Sequence, residues 1–186
     1  MSHPIKRDID RNVRQNVHHD MYRNGGARWL WLSFGVLVAD RATKFAIERY
    51  TTVFFRRPIV SDIVVLVHNR NPGIAFGVFS DSTSRWLAPV LVASAIVLIA
   101  LLAWLLVSGR MGGALAQTGL ALILGGAAGN ALDRVIHHGV TDFLEVRLWT
   151  YIWPAFNVAD SAITIGAILV FVELLFADRQ RSAASE

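Results

Sequence analysis

Residues 86–107 have the sequence WLAPVLVASAIVLIALLAWLLV and contain no charged side chain over 22 positions. A helix of this length spans the hydrocarbon core of a bilayer, which is about 30 Å thick. Residues 112–132 are also uncharged, and they are rich in Gly and Ala, small residues that let membrane helices pack closely. The two stretches predict two transmembrane helices.

Two further apolar stretches, residues 29–47 and 155–176, predict a first and a last transmembrane helix, although both contain ionisable side chains. Those side chains are Asp40, Arg41, Lys44, Asp160 and Glu173. Hydrophobic residues make up 54% of the 186-residue chain and charged residues only 17%, whereas soluble domains carry roughly 25% charged residues. The absence of Cys excludes a disulfide framework, a thiolate metal site and a cysteine nucleophile. We therefore expect a mainly α membrane protein with four transmembrane helices.

The charged ends of the chain set its expected orientation. Residues 1–28 are polar and hold six of the 18 Lys and Arg residues, so the positive-inside rule predicts a disordered cytoplasmic tail. Four spans then return residues 177–186 to the cytoplasm as a second tail. Aromatic residues do not interleave with the basic ones except at Tyr22, so we expect no nucleic-acid partner. The late apolar run also fits a cleaved signal peptide poorly.

This orientation places residues 48–85 and 133–154 outside the cytoplasm. Short β-branched runs at 58–60 and 63–67, followed by the turn signal Asn71-Pro72-Gly73, predict a small extracytoplasmic β-sheet. The second segment contains Trp and Tyr residues around Pro154, which is typical of a membrane interface. We interpret this second segment as an extracytoplasmic loop.

Acidic residues at membrane depth are costly unless they are paired or functional. Asp142 lies in the second outward segment, and Asp160 lies about one turn into the last span, so the topology can bring both to the outer interface. Two close carboxyl groups in a low dielectric share a proton, which allows one to act as a base and the other as an acid. This spacing suggests peptide hydrolysis, although structural roles for both residues remain open at this point.

Other interpretations of the polar residues compete with this one. Asp133 and Arg134 follow the third span and can form an ion pair with each other, Asp40 and Lys44 can pair at i, i+4, and Glu173 is given no role. The pairs Asp133–His137 and His138–Asp142 have a spacing that metal ligands use. A proton-coupled transporter or a non-enzymatic scaffold would also retain buried carboxyl groups or close helix packing.

Five motifs resemble lipoprotein signal peptidase (signal peptidase II) over residues 29–176. They are DRATK at 40–44, NPGIAF at 71–76, GGAAGNALDR at 125–134, VTDF at 140–143 and FNVADS at 156–161. The resemblance implies an aspartyl endopeptidase of the bacterial inner membrane without a cofactor or metal, with its active site near the extracytoplasmic face. It also implies a substrate, a diacylglyceryl-modified prolipoprotein cut before its lipidated Cys, and inhibition by globomycin-type peptides.

The motifs also imply roles for individual residues. The catalytic pair maps to Asp142 and Asp160. Supporting or substrate-binding roles fall on Asp40, Lys44, Asn71, Gly73, Asn130, Asp133, Arg134 and Asn157. Asn157 is equally well placed to cap the last helix. We expect a monomer whose partners are prolipoproteins and membrane lipid.

Overall fold

The computed structural model describes residues 27–72, 87–109 and 113–183, which form four helices and one four-stranded antiparallel sheet. The helices are α1 (Trp29–Tyr50), α2 (Leu87–Ser108), α3 (Ala114–His137) and α4 (Val158–Ala183). The strands are β1 (Arg56–Val60), β2 (Val64–Asn71), β3 (Val140–Leu148) and β4 (Tyr151–Phe156). Most of the predicted N-terminal tail, Gly73 and the last three residues lie outside the described residues.

Helix α3 is the centre of the bundle and approaches α4 at glycine positions. A Cβ atom on Gly126 would lie 2.5 Å from the carbonyl oxygen of Ala159, and one on Gly119 would lie 2.5 Å from the carbonyl oxygen of Gly166. The partner's residue number falls as the α3 number rises, so the two helices are antiparallel. Only glycine permits this backbone separation, which explains the small residues of the third apolar stretch.

Helix α1 contacts a second face of α3 in the parallel sense. Ser33 lies against Gly125 and donates a hydrogen bond of 2.9 Å to the carbonyl oxygen of Ala121. Further along both helices, Asp40 lies against Gly129. Because α1 and α3 run in the same direction, their C-terminal ends meet at one end of the bundle, where the sheet lies.

Helix α2 packs against α3 through Leu102 and Leu106, which contact Leu120 and Leu124 in the buried core. Much of the rest of α2 is exposed and apolar, including Val97 and Trp104. Such a surface is unusual for a soluble protein but suits contact with lipid.

Three helices of the described residues are long and apolar enough to cross a membrane: Pro89–Ser108, Ala114–His137 and Val158–Phe176. Helix α1 has 22 residues but carries several charged side chains, so it falls outside this set. The third helix continues past the predicted limit of 132 to His137, where His138 adopts a left-handed conformation with φ of 57°. Asp133 and Arg134 therefore lie within the helix and not beyond its end.

The sheet has the order β1-β2-β3-β4. The prediction that the second outward segment is a loop was wrong, because residues 140–156 supply β3 and β4 to the same sheet as β1 and β2. Residues 144–148 (LEVRL) alternate between apolar and polar side chains, which is a strand pattern that the aromatic content obscured. Pro58 and Pro154 lie on the two edge strands, where a missing N–H group is tolerated.

Candidate active site

Asp142 is the third residue of β3, and 3% of its surface is exposed. Its Oδ1 accepts a hydrogen bond of 2.7 Å from Nδ2 of Asn157, and its Oδ2 accepts one of 3.3 Å from Nδ2 of Asn71. Strand β2 positions Asn71, since it is paired with β3 in register at Asn69 and Asp142. The sheet therefore holds this carboxyl group between two neutral amide donors.

Asp160 lies in the first turn of α4, where the helix dipole favours a negative charge. Its Oδ1 accepts a hydrogen bond of 2.8 Å from Nδ2 of Asn130, and its Oδ2 accepts one of 3.3 Å from the backbone N–H of Asn157. Both oxygens of this carboxyl group thus face donors, as both oxygens of Asp142 do.

Asn157 connects the two carboxyl-bearing segments and is fully buried. Its Oδ1 accepts a hydrogen bond of 2.9 Å from the backbone N–H of Asp160, the contact of a helix N-cap. Because that contact occupies the oxygen, the amide NH₂ group is directed to Asp142. The two roles that the sequence left as alternatives for Asn157 are present together.

The environment of Asp142 favours its neutral form. Burial raises the pKa of Asp142 from an ordinary value of 3.8 to about 7, and the negative charge of Asp160 adds to this effect. Hydrogen bonds from Asn157 and Asn71 stabilise the ionised form and act in the opposite direction. Near neutral pH, this carboxyl group is poised to give or receive a proton.

Behind the carboxyl pair lies a buried ionic network centred on Lys44. Its Nζ lies 2.8 Å from Oδ2 of Asp40, 3.2 Å from Oδ2 of Asp133 and 3.0 Å from Oδ1 of Asn130. Asp40 also accepts a hydrogen bond of 2.9 Å from the backbone N–H of Ala159. The predicted i, i+4 pair of Asp40 and Lys44 is confirmed, and it ties α1 to both α3 and α4.

The predicted ion pair between Asp133 and Arg134 was wrong. Asp133 is fully buried and pairs with Arg41 at 2.9 Å as well as with Lys44. Consecutive residues of a helix point in different directions, so Arg134 is directed elsewhere. It donates a hydrogen bond of 3.1 Å to the carbonyl oxygen of Asn130, and its charge interacts with Asp142 and Asp160.

Three residues whose contacts hold the start of β3 in place were not predicted from the sequence: Arg41, Glu48 and Thr141. The backbone N–H of Thr141 donates to Asp133 at 2.9 Å, and its hydroxyl group donates to Glu48 at 2.9 Å. Arg41 in turn bonds Glu48 and Asp133. The spacing of Arg41 and Glu48, seven residues apart on one face of α1, was the available signal. Glu173, given no role from the sequence, accepts a hydrogen bond of 2.8 Å from the backbone N–H of Gly113.

One group of potential metal ligands occurs among the described residues: Glu48, Asp133 and His137. The predicted pair of Asp133 and His137 is therefore close in space, with 3.8 Å between the carboxylate and Nδ1. The guanidinium group of Arg41 already binds both carboxylates of this group, at 2.7 and 2.9 Å. Two of the three candidate ligands are thus already paired with a cation of the protein.

A bundle of apolar helices that carries one buried and one partly buried carboxyl group, each bound by amide donors, defines a membrane protein equipped for acid–base chemistry. The sequence model of the family described as signal peptidase II matches residues 32–176. The chain belongs to the signal peptidase II family, and it is a peptidase.

Individual relatives agree with this assignment. A lipoprotein signal peptidase of Solibacter usitatus is 38% identical over 162 residues, covering 83% of this chain and 97% of the relative. A lipoprotein signal peptidase of Pseudomonas fluorescens is 41% identical over an aligned region that covers 82% of this chain and 89% of the relative. A solved structure described as a bacterial membrane enzyme matches with a TM-score of 0.71 at 26% identity, covering 80% of this chain and 88% of that one.

Proposed function

We propose that this protein removes the signal peptide from prolipoproteins and that Asp142 and Asp160 perform the hydrolysis. The observation that carries the proposal is the pair of carboxyl groups, which come from different elements and are joined through Asn157. Two inequivalent carboxyl groups are the minimum that metal-free peptide hydrolysis by water requires, because one must accept a proton while the other donates one.

The environments of the two groups assign their roles. Asp142 keeps its proton up to about pH 7 and acts as the acid. Asp160 is less buried and lies in the first turn of α4, where the helix dipole favours a negative charge, so it acts as the base. Asp160 removes a proton from water as the water oxygen attacks the scissile carbonyl carbon, and Asp142 donates its proton to the carbonyl oxygen. Collapse of the tetrahedral intermediate then breaks the C–N bond: the leaving amine takes the proton held by Asp160, and Asp142 takes back a proton from a hydroxyl group of the intermediate as the new carboxyl group forms.

We propose that α1 also crosses the membrane, which gives four transmembrane helices in all. The large apolar side chains of α1 are exposed on its outer surface: Trp31, Phe34, Val38 and Phe45. Its Asp40 and Lys44 are buried against α3 and α4. A helix with its charges inside the bundle and its apolar face outside can contact lipid at little cost. The mean hydropathy of such a helix is low because it averages over both faces.

The proposed orientation follows from charge and chain direction. Six basic residues before Trp29 favour a cytoplasmic N-terminus. Helices α1 and α3 then end outside, so the sheet and both carboxyl groups lie at the extracytoplasmic face of a bacterial inner membrane. Helix α4 returns the C-terminus to the cytoplasm.

The proposed substrate carries a diacylglyceryl group on its Cys and is cut before that residue. Two acyl chains hold the Cys at the bilayer interface, since each buried CH₂ contributes about 0.8 kcal/mol. The exposed aromatic residues of the β3–β4 hairpin, including Trp149, Tyr151 and Trp153, suit the same depth. Asn71, Gly73 and Arg134 are proposed to contact the substrate near the carboxyl pair. The protein is proposed to act as a monomer without a cofactor and to bind globomycin-type peptides.

The test is a cleavage assay with purified protein in detergent and a synthetic prolipoprotein peptide that carries the diacylglyceryl group. We expect mass spectrometry to detect a product that begins at the lipidated Cys. A variant with Asp160→Asn, prepared in parallel, controls for contaminating peptidases. Cleavage at another bond, or equal cleavage by the variant preparation, would contradict the proposal.

A further inference from the structure

The side-chain amide of Asn130 has a defined orientation because of Lys44. An ammonium group has only donors, so the Asn130 atom that lies 3.0 Å from Nζ of Lys44 must be the oxygen. The NH₂ group then points the other way, and its nitrogen lies 2.8 Å from Oδ1 of Asp160. The orientation of a buried amide is normally inferred from such partners. The closest donor to the Asn130 oxygen is this cation, and Nδ2 of Asn157 donates to the same oxygen at a longer distance of 3.4 Å.

Lys44 is itself held in place. Its side chain is fully buried, and the carboxylates of Asp40 and Asp133 contact its ammonium group at 2.8 and 3.2 Å. Asp133 also binds Arg41, and this second contact holds its carboxylate in place. The ammonium group therefore has little freedom to leave Asn130 for another acceptor.

We propose that Lys44 is a positioning residue for hydrolysis, which acts through Asn130 to keep an N–H donor on Asp160 and so preserves Asp160 as the proton acceptor. This inference rests on the proposed function of the carboxyl pair. Lys44 comes from α1, so the first helix takes part in the chemistry without touching the substrate.

Loss of the ammonium group has a specific consequence. The Asn130 oxygen then keeps only the longer contact from Asn157, and the amide can rotate and turn its oxygen toward Oδ1 of Asp160. Two acceptor oxygens at this distance repel each other unless a proton lies between them. The rotated amide therefore favours a protonated Asp160, which cannot accept a proton from water.

Other groups also face Asp160. Asp142 from β3 and Arg134 from α3 interact with it through their charges, and Asn157 bonds it at the start of α4. Lys44 also acts on the pair directly, because its charge lowers the pKa of Asp142. This direct effect does not require Asn130. A variant without the Asn130 amide therefore separates the direct effect of the Lys44 charge from its positioning effect.

The experiment is a double-mutant cycle of Lys44→Met and Asn130→Ala, with kcat and KM measured on the lipidated peptide across pH. We expect Lys44→Met to lower kcat by about tenfold or more, with little change in KM, and to move the acidic limb of the kcat profile to higher pH. In the Asn130→Ala background, the same substitution should change kcat by less than about twofold. Equal losses in both backgrounds would overturn the proposal.

Ser33→Ala is the matched control, because it also removes a buried polar contact between α1 and α3 but leaves the contact of Lys44 with Asn130. It should lower thermal stability in detergent without moving the acidic limb. If Lys44→Met does not fold, the double variant Lys44→Met/Asp40→Asn removes one charge of each sign, and it should show the same shift of the limb. An unshifted limb in this folded variant would overturn the positioning role, whereas an active Asp160→Asn variant would instead overturn the proposed function.

Discussion

Asn157, the single residue between β4 and α4, donates a hydrogen bond of 2.7 Å to Asp142 in β3. The contact fixes the end of the sheet to the beginning of α4. It also makes the geometry of the carboxyl pair depend on a helix cap, because the same amide accepts the backbone N–H of Asp160. In the proposed mechanism, the attachment of the sheet to α4 and the chemistry of the carboxyl pair are set by the same side chain.

The pH dependence of cleavage tests the assignment of Asp142 as the acid. Its neutral form is required, so kcat/KM should fall as the pH rises through about 7. The hydrogen bond from Asn71 favours the ionised form, so Asn71→Ala should raise the pKa of Asp142 and move the basic limb to higher pH. Asn69→Ala is the control, because Asn69 pairs with Asp142 in the ladder but has an exposed side chain. A limb that moves to lower pH in Asn71→Ala would contradict the assignment.

The close approach of α3 and α4 predicts a steric effect at Gly126. A Cβ atom there would lie 2.5 Å from the backbone oxygen of Ala159, beside the active site. Gly126→Ala should therefore lower both activity and thermal stability in detergent, by about 1–3 kcal/mol in free energy of unfolding. Gly35→Ala is the control, since a Cβ at Gly35 meets no atom within 4 Å. Equal stability of the two variants would show that the helices separate at no cost.

The lipid on the substrate should matter more than the peptide sequence. Acyl chains hold the scissile bond at the interface where the carboxyl pair lies, so an unlipidated precursor should be cut at least about tenfold more slowly. The comparison uses one peptide sequence with and without the diacylglyceryl group, in matched detergent. Equal rates for both precursors would indicate that the sheet recognises the peptide itself.

The proposed topology makes a separate prediction. A reporter fused after Glu186 should report the cytoplasm, whereas reporters inserted near Arg57 and at His138 should report the extracytoplasmic side. An extracytoplasmic C-terminus would place the carboxyl pair on the wrong side for exported substrates, even if the chemistry were right.

The sequence predicted the helices more reliably than the polar contacts between them. Apolar stretches of about 22 residues locate the helices, because burial in lipid leaves few alternatives to a helix. The partners of Asp133 were not predicted because they belong to another helix. Arg134 is its neighbour in the chain, whereas Arg41 and Lys44 approach it from α1. Pairing of α1 with α3 depends on close packing at Gly125 and Gly129, and sequence patterns do not specify which helices meet.

The position of strands β3 and β4 in the sheet could likewise not be predicted from the sequence. Their alternating residues are a local signal, but their place beside β2 depends on long-range register. The position of Asp142 opposite Asn69 follows from that register and not from its neighbours in the chain. Counting the spans was enough to bring Asp142 and Asp160 to the same end of the bundle, whereas the burial of Asp142 and the amide donors on both groups came only from the structure.

Cleavage of the lipidated peptide by Asp142→Asn and Asp160→Asn variants tests the central claim most directly. Asn preserves the size of each side chain but can neither accept a proton from water nor donate one as a carboxyl group does. We expect both variants to insert, to purify as folded protein and to lose cleavage by at least about a hundredfold. Near-normal turnover by either folded variant would remove that residue from the mechanism and contradict the account.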